Sequence, residues 1–493
     1  MTEVDRRINS RAVTVIGPRT GVWWTDNDPS MRIPGTLTRA VDWWQLDLIG
    51  NLPINDHWTD ALSMVPPTTI YGACLGTRYT LRRAYLDDAK GPTIHFDLPL
   101  DDRDQAGDQY WQRWTGRTLL KGDALPEGTL FGAARFELTG LSAWWPDTGL
   151  PRENRSDRGI HDYQFPEQVI ADCGDGLIVT IGTNLSEMSG IRTRTVTERV
   201  IIGVNCETGL TLDALEEHVI LPLRGLLAIS IKNRTEYFNC QLQPVGLAAY
   251  PSFPIHVDPE VLDGVTDSNP FHSWPTFTAA DIDVPQFLCV WLKLAQDNPV
   301  PLAVAEPRIQ SGSLQSQVVE AVNAAEILHR KLTAETTEYP FAELVKEVLK
   351  ADGTLNSAKR RSVYSAIKFT EVPLEKRLFQ LAQGLGEEFC AWFFDGRVAD
   401  WALVAATLRN ALSHGYPTGH QIEDDAGALV GTLHMTHAVI RLRLLCEAGL
   451  PSEDRLEGML AKDRVYLALM KQTVADWREL GHRCRHHEAP ESD

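Results

Sequence analysis

The period of the apolar residues changes along this chain, and that change limits the fold more than any other feature. From about residue 10 to 205, apolar residues alternate or fall in short β-branched runs, which suit strands of period two. The runs are RAVTVIG, WWQLDLIG, TTIYGACLG, RYTLRRAYL, LFGAARFELTGLSAWW, GLIVTIGTNL and RTRTVTERVIIGV, broken by Gly, Pro, Asp and Asn. Beyond about residue 310 the spacing is helical. SLQSQVVEAVNAAEILHRKLTAE places Leu314, Val318, Val322, Ala325 and Leu328 on one stripe. FAELVKEVLKA, PLEKRLFQLAQGLGEEFCAWFF, DWALVAATLRNALSHGYP, ALVGTLHMTHAVIRLRLLCEAG and RVYLALMKQTVADWREL follow. Strands first and helices after, in 493 residues, predict an α+β multidomain protein. Its β-rich N-terminal domain is an antiparallel sandwich or barrel-like sheet, and an all-α helical bundle follows.

Between the two lies TLDALEEHVILPLRGLLAISI. Thr211 is placed to cap a helix, and Leu212, Leu215 and Val219 recur with helical spacing. Pro222 and Gly225 are expected to end or kink that helix, and LLAISI reads as a further strand. Frequent prolines from 242 to 310 predict irregular loops around one helix, PQFLCVWLKLAQD. The expected division is residues 1–300 for the β-rich domain with a few helices, 301–487 for the bundle and 488–493 for a flexible tail. Of the 14 tryptophans, Trp23, Trp24, Trp43, Trp44, Trp58, Trp111, Trp114, Trp144 and Trp145 fall early, which argues for a folded N-terminal domain.

The net charge of −19 excludes a protein that coats nucleic acid without specificity. From Ile309 onward there are 21 basic and 26 acidic residues, leaving 26 basic and 40 acidic before it. The helical part, at −5 against −14, is therefore where a polyanion approaches more easily. Eight scattered cysteines with no CxxC pair read as reduced thiols of a cytoplasmic protein. No apolar run is long enough to span a bilayer. Cys484, His486 and His487 could hold a metal, but no second ligand cluster of recognisable spacing accompanies them. GxxxxGK[ST], GxGxxG after a strand, HExxH and GxSxG are absent, and no cofactor is implied.

Chemistry gathers in DWALVAATLRNALSHGYP. Asp400 is placed to cap the helix and Gly415 to stop it. Trp401, Val404, Leu408 and Leu412 form its core stripe. Asn410 and His414, four residues apart, stack on the opposite face, with Arg409 on the flank. A histidine can exchange a proton near neutral pH, Asn410 can orient its ring, and Arg409 can clamp a phosphate. A base plus a phosphate clamp is the minimum for cutting RNA through its own 2′-hydroxyl without a metal. One His and one Arg are few for that task, and two copies across a dimer would supply both an acid and a base. On spacing alone a solvated helix end is the better reading. Arg155 to His161, with one more intervening residue, lies in a loop-like stretch without a core stripe and is set aside. Lys359, Arg360 and Arg361 could touch an RNA backbone but read rather as a solvated charge run, and Glu326, Glu387 and Glu388 could partner an arginine but read rather as exposed helix residues. His434 and His437 face either this site or its polar surroundings.

LRNALSHG, late in a helical bundle, resembles the R-[polar]-x-x-x-H motif of HEPN domains. VVEAVNAAEILHRKL is similar to the helix that opens the HEPN domain of ApeA-like proteins. GVWWTDNDPSMRIPGTLT, WQLDLIG and PPTTIYGACLGTRYTL resemble ApeA-type N-terminal domains, so the likeness covers most of the chain. The resemblance implies an anti-phage endoribonuclease, independent of metal and acting on RNA, with tRNA the implied target. It implies Arg409, Asn410 and His414 as catalytic residues, and a homodimer or higher homo-oligomer formed through the HEPN domain. A phage-derived activator, and abortive infection as the outcome, belong to the same expectation. A non-catalytic HEPN scaffold, whose N-terminal domain senses a phage ligand, is the alternative.

Overall fold

A computed structural model describes residues 18–26, 28–39, 43–50, 52, 68–90, 111–149, 163, 165–189, 194–246, 255–258, 275–307, 312–333, 342–351, 356–357, 359–360, 363, 372–415, 421–450, 454–462 and 464–485. Two compact units are present. The first comprises Met1–Leu227 and Arg234–His272, and the second Ala228–Asn233 and Ser273–Asp493.

The first unit contains thirteen strands among the described residues, paired antiparallel throughout: β1 (Arg19–Trp24), β2 (Ile33–Arg39), β3 (Trp44–Ile49), β4 (Thr68–Cys74), β5 (Thr77–Lys90), β6 (Trp111–Gly116), β7 (Thr118–Gly122), β8 (Phe131–Leu138), β9 (Val169–Asp172), β10 (Leu177–Ser189), β11 (Arg194–Leu210), β12 (Tyr237–Pro244) and β13 (Ile255–Asp258). The order β4-β1-β2-β3-β6-β5 closes on itself through β4–β5, making a six-stranded barrel. The open run β7-β13-β12-β8-β11-β10-β9 continues from the same β5. Alternation decides which side chains fill the barrel: Trp44, Leu46 and Leu48 of β3 point inward, and Gln45 and Asp47 outward. Trp23, Leu37, Ile70, Leu81 and Trp114 complete the interior. Trp23 fits because Gly72 has no side chain; a Cβ there would lie 2.2 Å from the indole. The indole N–H of Trp23 donates to the Gly35 carbonyl at 3.2 Å, which satisfies its polar atom in the core.

RAVTVIG lies outside the described residues, whereas the other expected runs fall on strands. LFGAARFELTGLSAWW is strand only to Leu138, and a short helix, α1 (Leu141–Trp144), follows. Thr211 caps α2 (Leu212–Leu215), its hydroxyl accepting from the Ala214 amide at 3.2 Å. A π-helical turn, Glu216–Ile220, leads directly into α3 (Leu221–Ile231). Pro222 and Gly225 therefore do not end the helix, and LLAISI is helix, not strand. The π turn shifts the hydrogen bonds just ahead of Pro222, where its missing N–H would otherwise leave a gap. Leu226, Leu227, Ala228 and Ile229 are all buried, and such an all-apolar run carries no period to separate the two structures. Cys74, Cys206 and Cys240 are buried free thiols, whereas Cys173 is disulfide-bonded, against the reading of reduced thiols.

The second unit is helical: α4 (Val284–Asp297), α5 (Pro299–Ala305), α6 (Leu314–Thr333), α7 (Ala342–Ala351), α8 (Leu374–Gln383), α9 (Glu387–Phe393), α10 (Val398–His414), α11 (Ala426–Glu447), α12 (Asp454–Lys462) and α13 (Arg464–Arg485). Asp283 caps α4, accepting from the Gln286 amide at 3.3 Å. α5 (PVPLAVA) is a second helix among the prolines, where the sequence predicts one. Both of its prolines lie in the first turn, where no N–H is needed. The expected single helix 373–394 is two, α8 and α9, separated by Gly384, Leu385 and Gly386, with Gly386 at φ 103°. α6, α8 and α13 pack on α10, and α11 packs on α6. Val318, Val322, Leu328, Leu378, Trp401 and Leu408 of these helices are fully buried. Cys390, Cys446 and Cys484 are free thiols here, and Cys289 is disulfide-bonded. Among the described residues no helix is long and apolar enough to cross a membrane.

Candidate active site

The site is built on the last turn of α10. The helix begins at Val398, so Asp400 is not its cap but a residue of the first turn. Asp400 is buried and ion-paired with Arg397 at 3.5 Å and with Arg485 of α13. A carboxylate in the first turn also suits the helix dipole. Gly481 of α13 faces it, and a Cβ there would lie 2.7 Å from Asp400 Oδ1. Trp401, Val404 and Leu408 are fully buried, as the stripe predicts, together with Ala405 and Ala411. Leu412 is only half-buried, because the helix ends two residues later and has left the core. Gly415 stops the helix in the left-handed conformation at φ 66°, its amide donating to the Ala411 carbonyl at 2.8 Å.

This leaves Asn410 and His414 exposed at the helix end, and Arg409 half-buried beside them. Arg409 is held from behind by α6. Its Nε donates to Asn323 Oδ1 at 3.0 Å, and Nη2 lies 3.8 Å from Glu326 Oε2. Nη1 donates to Asn410 Oδ1 at 3.1 Å, so the structure places the Asn410 carboxamide oxygen on the guanidinium. Glu326 also pairs with Arg330 at 2.9 Å and with Arg377 of α8. Burial alone would raise the Glu326 carboxyl, but hydrogen bonds and charge from Arg330 and Arg377 outweigh it and hold it below the usual carboxylate range. Glu326 is therefore a half-buried partner of three arginines, the alternative its sequence position offered, and not an exposed helix residue. Behind it, His329 is buried with Nε2 3.1 Å from Gln380 Oε1.

Asn323 and Arg377 are not singled out by the sequence. Their only local signal is a polar residue set against the stripe, Asn323 beside Val322 and Arg377 beside Leu378. Glu387 and Glu388 are exposed in the first turn of α9. His437 is buried near Arg441, whose Nε donates to the Ala305 carbonyl at 2.6 Å, which ties that face of α11 to α5. Burial, then the charges of Arg441 and His434, push the His437 imidazole down to about 3. His434 is lowered by burial and by Arg441. Both are packing histidines of α11. Lys359 is exposed, while Arg361, Arg155, His161, His486 and His487 lie outside the described residues. Cys484 is half-buried in α13, and burial pushes its thiol up, away from the thiolate that a metal would need.

Two family models match the chain. That of the ApeA N-terminal domain 1 covers residues 18–245, and that of the Apea-like HEPN domain covers 319–454. The chain is an ApeA-like protein with a C-terminal HEPN domain. The HEPN match begins inside α6 and ends at the start of α12, so it contains Asn323, Glu326 and the whole of α10. No curated protein and no solved structure matches the chain.

Proposed function

We propose that this ApeA-like protein is an anti-phage endoribonuclease that cleaves RNA at Arg409, Asn410 and His414. Support comes from the HEPN family, whose members are generally RNase-like, and from one observation. α10 leaves its core at its last turn with His414 and Asn410 in solvent, beside an arginine braced from behind by Asn323 and Glu326. The bracing fixes the guanidinium before any ligand arrives, so a phosphate meets a preorganised clamp. In the reaction His414 takes the proton of the 2′-hydroxyl, and the 2′-oxygen attacks the adjacent phosphorus. The P–O5′ bond breaks, leaving a 2′,3′-cyclic phosphate and a 5′-hydroxyl. The proton for the leaving oxygen comes from His414 of a second copy, which is why the proposal includes a dimer formed through the HEPN domain. No metal takes part in this scheme. The RNA is tRNA, and a phage-derived activator releases the activity.

Incubating the protein with tRNA in EDTA, with and without phage lysate, tests the proposal. Cleavage leaving 2′,3′-cyclic phosphate ends, falling at least about 100-fold in His414→Ala, is expected. Absence of cleavage in both proteins under both conditions would sink it in favour of a binding or scaffold role.

A further inference from the structure

The first unit carries a cavity of about 700 Å³ on the face of its open sheet that points away from the core. Register defines its floor. Gln243, Ala133 and Asn205 stand in one row across β12, β8 and β11. Gln241, Arg135, Gly203 and Thr180 stand in the next, reaching β10. The intervening residues Ala134, Leu242, Val204 and Val179 are buried on the opposite face, so the sheet's hydrophobic demand is met without this one. Small residues form the middle of the floor, and glycine inside a strand weakens it unless something must approach closely. Along one side the segment preceding β9 forms a wall. Gln168 of that segment would lie 3.3 Å from a Cβ at Gly182, and Phe165 stands 65% exposed, edge-on to Tyr163 at 4.8 Å.

Thr180 and Thr183 of the lining are hydrogen-bonded within the protein, to the Gly203 carbonyl and the Tyr163 hydroxyl, but the longer polar side chains are not engaged. Among the described residues no side-chain hydrogen bond or ion pair holds Arg135, Gln168, Asn205, Gln241 or Gln243. Among the described residues lining the cavity Arg135 is the one that is charged, in a part of the chain that is otherwise strongly acidic. Each carboxamide presents a donor and an acceptor together, the pattern that reads the edge of a heterocyclic base. An exposed phenyl ring offers a stacking surface. A lone guanidinium without a carboxylate neighbour in the lining suits a phosphate. A cavity of this size suits a ligand as large as a nucleotide or dinucleotide.

We infer that this cavity binds a nucleotide, its base held by the carboxamides and Phe165 and its phosphate by Arg135. The inference stands apart from the nuclease proposal, since neither needs the other. Isothermal titration of the full chain with AMP, GMP, CMP and UMP tests it, with the matching nucleoside, inorganic phosphate and maltose alongside. One equivalent of at least one mononucleotide is expected to bind. Arg135→Ala should weaken it at least about tenfold and leave the nucleoside unchanged, as loss of a charge-assisted hydrogen bond would. Asn205→Ala with Gln241→Ala should weaken both nucleotide and nucleoside. These side chains have no protein partners, so the variants should fold, which circular dichroism checks. Arg409→Ala must leave the binding intact; if it abolishes it, the nucleotide sits at the nuclease site and the inference fails. It also fails if no nucleotide binds at millimolar concentration, if phosphate alone binds as tightly, if maltose binds instead, or if Arg135→Ala has no effect.

Discussion

At the scale of single residues, Glu326 is the group on which most converges. It faces Arg330, Arg377 and Arg409 from a largely buried position on α6. Its carboxyl is lowered in the folded protein, so its contribution to stability is present above its unfolded pKa and is lost as pH falls through the folded one. Glu326→Ala removes the carboxylate facing buried Arg377 and should cost about 3 kcal/mol in urea unfolding. Glu326→Gln keeps the shape and should cost less, but RNA cleavage should still fall as Arg409 loses its brace. His437 behaves in the opposite sense. Its imidazole is pushed down from 6.5 to about 3, so the unfolded chain binds a proton that the folded one refuses. Stability should therefore decline as pH falls from 6.5 towards 3, by about 1.4 kcal/mol per unit from this group. His437→Gln should flatten that decline relative to the parent when unfolding is compared at pH 7 and 5.

At the scale of elements, two glycines in neighbouring helices make a matched pair. A methyl group added at Gly458 of α12 would have nothing within 4 Å, whereas at Gly481 of α13 the same atom would meet Asp400 at 2.7 Å. Gly458→Ala should raise stability by about 0.5–1 kcal/mol through helix propensity alone. Gly481→Ala has the same propensity gain but must push α13 off α10, and should lose about 1–3 kcal/mol. The order of urea midpoints, Gly458→Ala above the parent and Gly481→Ala below it, checks both. Elements with a clear period are legible in the sequence: the alternation of β3, the stripe of α6, the Thr211 cap and the Gly415 stop. α3 and α5 are not, for different reasons. LLAISI is apolar but for Ser230, itself buried, and so periodless, and PVPLAVA hides a helix start behind two prolines that only a first turn can accept. Asp400 reads as a cap because a carboxylate inside the first turn and one just before it have the same local appearance; the position of Arg485 decides.

At the scale of the molecule, what the sequence withholds is long-range. Barrel closure depends on β1 meeting β4 and β3 meeting β6, pairings that no local pattern encodes. The bracing of Arg409 depends on α6 lying against α10, with Asn323 86 residues away in sequence. The motif itself is legible, since its spacing is contained within one helix. The proposed composite site makes a prediction at this scale. Excess His414→Ala mixed with the parent should silence it, because a mixed dimer keeps one histidine where the scheme needs two. Activity that stays proportional to the amount of parent chain would mean that each copy works alone.

The fourteen residues of β5 pair with β4 along one edge, and with β6 and β7 in succession along the other. One strand is thus a seam common to the barrel and the open sheet. Neither can unzip from its neighbour while that seam holds, so the two should melt as one cooperative block, with the amides of β5 among the last to trade their hydrogens for deuterium.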